Sequence, residues 1–227
     1  MSEPNDKLIK KKEDWAREKR GLTPQAREEG VSIRQNPNAP SVEKPRLPPG
    51  QHMVKGFPVL DLGIQPEVTL EKWSLDVQGL VENPVTWDWQ DFMAQPQITS
   101  VSDFHCVTTW STFDNRWQGV SFKHLLQVVR PKPEAKFVSF TSHDGYSTNV
   151  PLSALTDDDV LIAHRWNDEP LTREHGGPVR MIVPKLYAWK GAKWVKGMIF
   201  LAQDRPGYWE VRGYSNFGDP WTEDRYA

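Results

Sequence analysis

The sequence predicts an α+β fold rich in β-strand. Two observations carry this: short segments whose apolar residues alternate with period two between turn residues, and helix-like stretches that occur singly among the strands. Regular strand-helix alternation and internal repeats are both absent from the sequence, which argues against a doubly wound or solenoid architecture.

In chain order, residues 1–52 read as an arm. They are rich in Lys, Arg, Glu, Pro and Asn, and a proline-studded run from Asn36 through Pro49 offers almost nothing to a core, so extended or disordered chain is expected. Residues 14–20 are the exception, predicting a short charged helix that docks Trp15 on the body or a partner and leaves its basic residues solvated. The folded domain is expected over 53–227. Residues 73–80 alternate as a strand, and Glu82, Asn83 and Pro84 turn the chain. Thr86 is placed to cap a short helix ending near Met93, and Ser121 to cap another over 122–129. Strands are expected over 136–142, 147–151, 160–165, 178–184 and 194–201.

Composition removes several function classes. With 28 Lys and Arg against 30 Asp and Glu, the net charge is -2, so no basic field favours nucleic acid. A single cysteine, Cys106, forms no internal disulfide and no thiolate-rich zinc site. No apolar leader core and no long apolar run occur, so membrane insertion is not expected and the protein is expected to be cytoplasmic. GxGxxG and Walker loops are also lacking.

Three segments hold polar residues and glycines beyond what folding requires. Cys106 lies in Phe104-His105-Cys106-Val107-Thr108-Thr109-Trp110-Ser111, among small hydroxyls and aromatics. That setting suits a ligand or nucleophile, although free cysteine is commonly a small core hydrophobe. In His175-Gly176-Gly177-Pro178-Val179-Arg180 the glycines allow close backbone approach, and Arg180 on an otherwise apolar strand requires an anion, either a ligand's phosphate or a carboxylate of the protein. The stretch from Lys185 to Lys193 brings three lysines around Gly191 and Ala192; it reads as a phosphate cradle or as a solvated basic turn.

Together with Gly213-Tyr214-Ser215-Asn216-Phe217-Gly218-Asp219-Pro220-Trp221, these motifs resemble, in order and spacing, the sulfite oxidase family of molybdopterin enzymes, over about residues 57–227. The likeness is strongest to short prokaryotic members built of the molybdenum domain alone. It implies a sulfite-oxidase-type fold of mixed sheets and short helices, Mo-molybdopterin as cofactor, and Cys106 as the sole protein ligand to the metal. A soft thiolate suits a metal already held by dithiolene sulfur. By motif, the resemblance assigns cofactor contacts to Thr141, His175, Arg180, Gly191, Ala192 and Lys193; His105, next to the ligand, is read either as a pterin contact or as a histidine satisfied by backbone. Arg116 and Tyr214 are candidates for the substrate-facing shell; for Arg116, flanked by Asp114 and Asn115, a surface ion pair is the stronger reading. Where exported relatives carry an N-terminal cofactor segment, this chain has residues 57–63.

The function expected from the resemblance is two-electron oxygen-atom transfer to or from a small substrate, a sulfoxide or a sulfite-like oxyanion, with a separate electron-transfer partner. Two rivals stand beside it: a β-rich binding or scaffold protein with Cys106 in its core, and a thiol enzyme pairing Cys106 with a histidine. Eleven tryptophans complete the picture. Trp110, Trp117, Trp189, Trp194 and Trp221 lie near the motifs; most are expected in the core, with one or two walling a planar cofactor.

Overall fold

The computed structural model describes residues 6–19 and 46–227. The remainder of the proline-rich arm lies outside the described residues. Helix α1 (Asp6–Lys19) is followed by strands β1 (His52–Met53), β2 (Ser74–Gly79) and β3 (Val85–Asp88), helix α2 (Trp89–Ala94), β4 (Gln97–His105), β5 (Trp110–Ser121) and helix α3 (Phe122–Val129). Strands β6 (Phe137–Ser142), β7 (Ser147–Pro151), β8 (Leu161–Trp166), β9 (Glu169–Pro170), β10 (Arg180–Ile182) and β11 (Val195–Leu201) complete the fold.

The strands form two mixed sheets. One has the order β3-β2-β11-β6-β7, with β11 parallel to β2 and antiparallel to β6. The other runs β1-β5-β8-β10, with β4 paired to β5 and β9 to β8. The alternation of 73–80 is realised: Leu75 and Val77 are fully buried while Asp76 is only half so. They join Phe140, Val138, Met198, Phe200 and the inner face of α3 in a first core. A second core is built from aromatic residues, among them Trp110, Trp117, Trp189, Trp209, Tyr187 and Tyr214.

Several expected boundaries shift for local reasons. Thr86 is not a helix cap; it sits within β3, and Asp88 caps α2 in a reciprocal box with Asp91, whose N–H donates to Asp88 Oδ1 at 2.8 Å. A carboxylate here accepts the free N–H and also complements the helix dipole. Ser121 occupies the cap position of α3 without a side-chain cap bond. Among the described residues no helix is long and apolar enough to cross a membrane.

The largest change is in the arm. The helix expected over 14–20 begins eight residues earlier, at Asp6. Its few apolar residues find partners far along the chain: Ile9 and Ala16 are buried in the second core. Trp15 meets Tyr226 edge-on at 5.6 Å, and Glu13 pairs with Arg212 at 2.7 Å.

Candidate active site

Cys106 sits in the tight connection between β4 and β5. Its N–H donates to the Trp110 carbonyl at 2.9 Å, and its own carbonyl accepts from the Thr109 N–H and the Gln51 side chain, both at 3.1 Å. Turning the chain this sharply holds Thr109 at φ 75°, a conformation that is strained for a β-branched residue. Strand β1 clamps the loop from outside, through His52 N–H to the Thr109 carbonyl at 2.8 Å. Cys106 is 5% exposed, and its sulfur lies 3.1 Å from Thr108 Oγ1. Burial pushes the thiol pKa up, with the Thr108 hydrogen bond opposing.

Cys106 lines a cavity that is in part open to solvent. Apart from Cys106, its wall includes His175, Arg180, Gly191, Lys193 and Tyr214, so the fold brings most of the expected site residues to one place. Trp110, Trp189, Trp194 and Trp209 supply rigid aromatic surface.

Arg180 is the site's most informative group. It is 2% exposed on β10, and its Nη1 donates to the His175 carbonyl at 2.9 Å. No carboxylate pairs with it among the described residues, and its Nε has no partner at all. The guanidinium lies instead 5.3 to 5.8 Å from the ring centres of Phe104, Phe57 and Trp117. Burial lowers its pKa to about 9, which leaves it charged at neutral pH. An unpaired buried cation is expensive unless an anion arrives to meet it.

Lys193 stands beside it. Its Nζ donates to the Glu174 carbonyl at 2.7 Å, and burial, followed by the Arg180 charge, lowers its pKa to about 7. Gly176, at φ 101°, passes so close that an added Cβ would fall 2.8 Å from Lys193 Cβ. At Gly191 an added Cβ would come within 2.7 Å of the Met181 carbonyl. These two positions require glycine for clearance.

His175 is fully engaged by the protein. Its Nε2 lies 2.9 Å from the Phe57 carbonyl, so this nitrogen carries a proton, and Nδ1 is 2.9 Å from the Thr172 hydroxyl. The ring stacks on Phe57 with centres 4.6 Å apart. His175 therefore offers the cavity no unpartnered ring nitrogen.

Four expected residues are not on the cavity wall. His105 Nδ1 bonds the Ser111 hydroxyl at 2.9 Å, a side-chain partner rather than the backbone. Thr141 faces across β6 to β11, its hydroxyl 3.4 Å from the Gly197 carbonyl. Ala192 is buried in the first core. Arg116 forms an exposed ion pair with Asp168 at 2.9 Å, leaving it no inward reach. The three lysines of 185–193 also separate: Lys185 pairs with Asp157 at the surface, and Lys190 is wholly buried 2.7 Å from Glu210 Oε1. Lys193 alone of the three joins the cavity wall.

Other lining residues come from segment 57–63, noted above, and from a turn that the sequence does not single out. Phe57, Pro58, Leu60, Asp61 and Leu62 come from the loop after β1, and Asp144 and Tyr146 from the β6–β7 turn. Burial raises the Asp144 pKa to about 6. The Tyr146 hydroxyl donates to the Trp189 carbonyl at 2.6 Å and fixes that wall. Their signal was the Asp144-Gly145 turn, which is also the commonest of hairpin signals and so points to no ligand. Lys12 of α1 also lines the cavity.

Residues 62–209 match the family model described as the oxidoreductase molybdopterin binding domain. The chain is 42% identical over 183 residues to the uncharacterized oxidoreductase YuiH of Bacillus subtilis, covering 80% of this chain and 92% of that protein. It is 28% identical over 152 residues to a putative protein-methionine-sulfoxide reductase subunit, YedZ1, of Azospira oryzae, covering 67% of this chain and 58% of that protein. Among solved structures it resembles the sulfane dehydrogenase SoxCD of Paracoccus pantotrophus, with a TM-score of 0.58 and 25% identity over 64% of this chain and 42% of that one.

Proposed function

The chain belongs to the oxidoreductase molybdopterin binding domain family, of the sulfite oxidase type, and is an oxidoreductase with Mo-molybdopterin as cofactor; from this we propose that it transfers an oxygen atom to or from a small sulfur-oxygen substrate, with Cys106 as the protein ligand to molybdenum. The observation that carries the reading is the placement of the Cys106 thiol and the unpaired, buried Arg180 cation on one cavity wall.

The residues fit the cofactor by their chemistry. One soft thiol donor lines the cavity, and Arg180 and Lys193, without a carboxylate ion pair among the described residues, suit an anionic group. When bound, the cofactor supplies two-electron redox chemistry and oxygen-atom exchange. The chain's own part is positioning. Strand β1 and the Gln51 side chain hold the cysteine loop. Trp189 and Trp209 exclude water from the cavity, and Arg180 with Lys193 neutralises negative charge. A metal held by Cys106 would favour its thiolate against the burial that raises the thiol's pKa.

The relatives named for sulfoxide reduction and sulfane oxidation support a sulfur-centred substrate. The experiment is elemental analysis of protein made in a host that synthesises molybdopterin. About one molybdenum per chain is expected, with visible thiolate-to-metal absorption. Protein without molybdenum, whose spectrum does not respond to Cys106→Ser, would return Cys106 to the core reading.

A further inference from the structure

Helix α1 lies outside the residues that match the family model, yet it contributes Lys12 to the wall of the same cavity as Cys106. We propose that α1 is a strap across the cavity and that Lys12 is a specificity-determining residue, binding a small oxyanion substrate on the Cys106 side. This inference rests on the reading of the site given above.

The helix is anchored without help from Lys12. Ile9 and Ala16 are buried in the second core, Trp15 meets the Tyr226 ring, and Glu13 pairs with Arg212 at 2.7 Å. These contacts hold the Lys12 ammonium 5.3 Å from the centre of the Trp209 ring, half buried. Among the described residues Lys12 forms no hydrogen bond or ion pair. The contact with the Trp209 ring offsets part of the cost of ordering and desolvating the ammonium, and an anion sharing the space would offset more of it.

Lys12 and Lys193 feel each other's charge and both feel Asp61, so the cations of the cavity form one cluster, in which Lys12 is the one that acts on Cys106. Arg180 and Lys193 act on each other beside His175, the arrangement suited to the cofactor's own anionic groups. The opposite charges felt by Lys12 are those of Cys106 and Asp61. Asp61 is a poor competitor for it, because its two oxygens accept from the Gly63 N–H at 2.8 Å and the Gln65 side chain at 2.9 Å. The unclaimed charge of Lys12 thus faces the side where the thiolate, and so the reacting centre, would lie. A compact sulfur oxyanion fits a point-charge ammonium, which imposes no planar geometry.

The test titrates inorganic sulfate, an unreactive stand-in, into the full-length holoprotein at matched ionic strength, with molybdenum content measured in parallel. Lys12→Met is expected to weaken sulfate binding about tenfold, the order of one charge-assisted hydrogen bond, while Lys12→Arg stays within about threefold. Molybdenum content should be equal in all three proteins. The proposal is overturned by sulfate binding that is absent from the wild type or unaffected in Lys12→Met. Molybdenum that falls in step with sulfate affinity also overturns it, since Lys12 would then serve the cofactor. A wild type without molybdenum removes the functional reading separately; the sulfate difference between wild type and Lys12→Met still decides the role of Lys12.

Discussion

Arg180 donates to the carbonyl of His175 at 2.9 Å and leaves its Nε without a partner, although both residues are nearly sealed from solvent. A buried charge so poorly compensated weakens the empty fold. Arg180→Met, of similar volume, is therefore expected to leave the melting temperature of cofactor-free protein unchanged or raised. Its molybdenum content should fall at least tenfold when expressed with cofactor. Loss of stability in the cofactor-free variant would show that Arg180 is structural.

Behind the Trp189 wall, Lys190 and Glu210 form an ion pair at 2.7 Å with both side chains almost wholly buried. Glu210 Oε1 also accepts from Trp189 Nε1 at 3.0 Å and from the Thr148 hydroxyl at 2.9 Å. Lys190→Met strands the carboxylate and is expected to destabilise by about 3–5 kcal/mol in denaturant unfolding. The double variant Lys190→Met with Glu210→Gln should recover a large part of that loss. Additive losses would show that the pair is not coupled.

Gly176→Ala combines a positive φ with a clash against Lys193. A loss of about 1–3 kcal/mol is expected from the backbone conformation and the contact together. Cofactor retention should fall more than it does in Gly145→Ala, because Gly145, though also at positive φ, has open space around its Cβ position. Equal cofactor retention in the two variants would contradict the placement of Lys193.

The pH dependence of cofactor-free stability follows from Asp144, His164 and Lys193. Asp144 has its pKa raised from 3.8 to about 6, so its neutral form is favoured by the fold. Its contribution is complete below pH 3.8 and is lost as pH rises through 6. Lys193 is lowered from 10.5 to about 7, so the unfolded chain holds the extra proton between those values and stability rises with pH across that window. Between about pH 4 and 6 the Asp144 loss is offset by His164, whose pKa burial lowers to about 4 and which gains stability as pH rises there, so melting temperature should stay nearly level across that window and climb above 7. A bound anionic cofactor restores the Lys193 charge and flattens the upper limb; an identical climb with cofactor bound would place Lys193 away from it.

Strand periodicity was legible because it is local. The strand expected over 147–151 has those bounds in the structure, and the helix over 122–129 likewise. The cavity wall was legible where a glycine or a charge interrupts an apolar segment, as at Gly176, Arg180 and Gly191. Long-range burial was not. Nothing near Lys190 distinguishes it from Lys193, and what separates them is Glu210, twenty residues away on a 3-10 turn. Helix α1 lacked an apolar stripe of ordinary width, and its docking depends on Tyr226 and Arg212 at the far end of the chain. Thr141 rested on its spacing after Cys106 and on its strand, and Arg116 on its place after the cysteine loop; the strand register turns Arg116 to a surface ion pair and Thr141 toward the neighbouring strand.

The central claim is that the Cys106 thiolate holds the metal. X-ray absorption at the molybdenum edge, on wild type and on whatever molybdenum-containing fraction of Cys106→Ser can be isolated, tests it most directly. One more sulfur neighbour in the wild type than in the variant is the expected result. An unchanged sulfur count would contradict it, and Cys106 would then be part of the aromatic core that surrounds it.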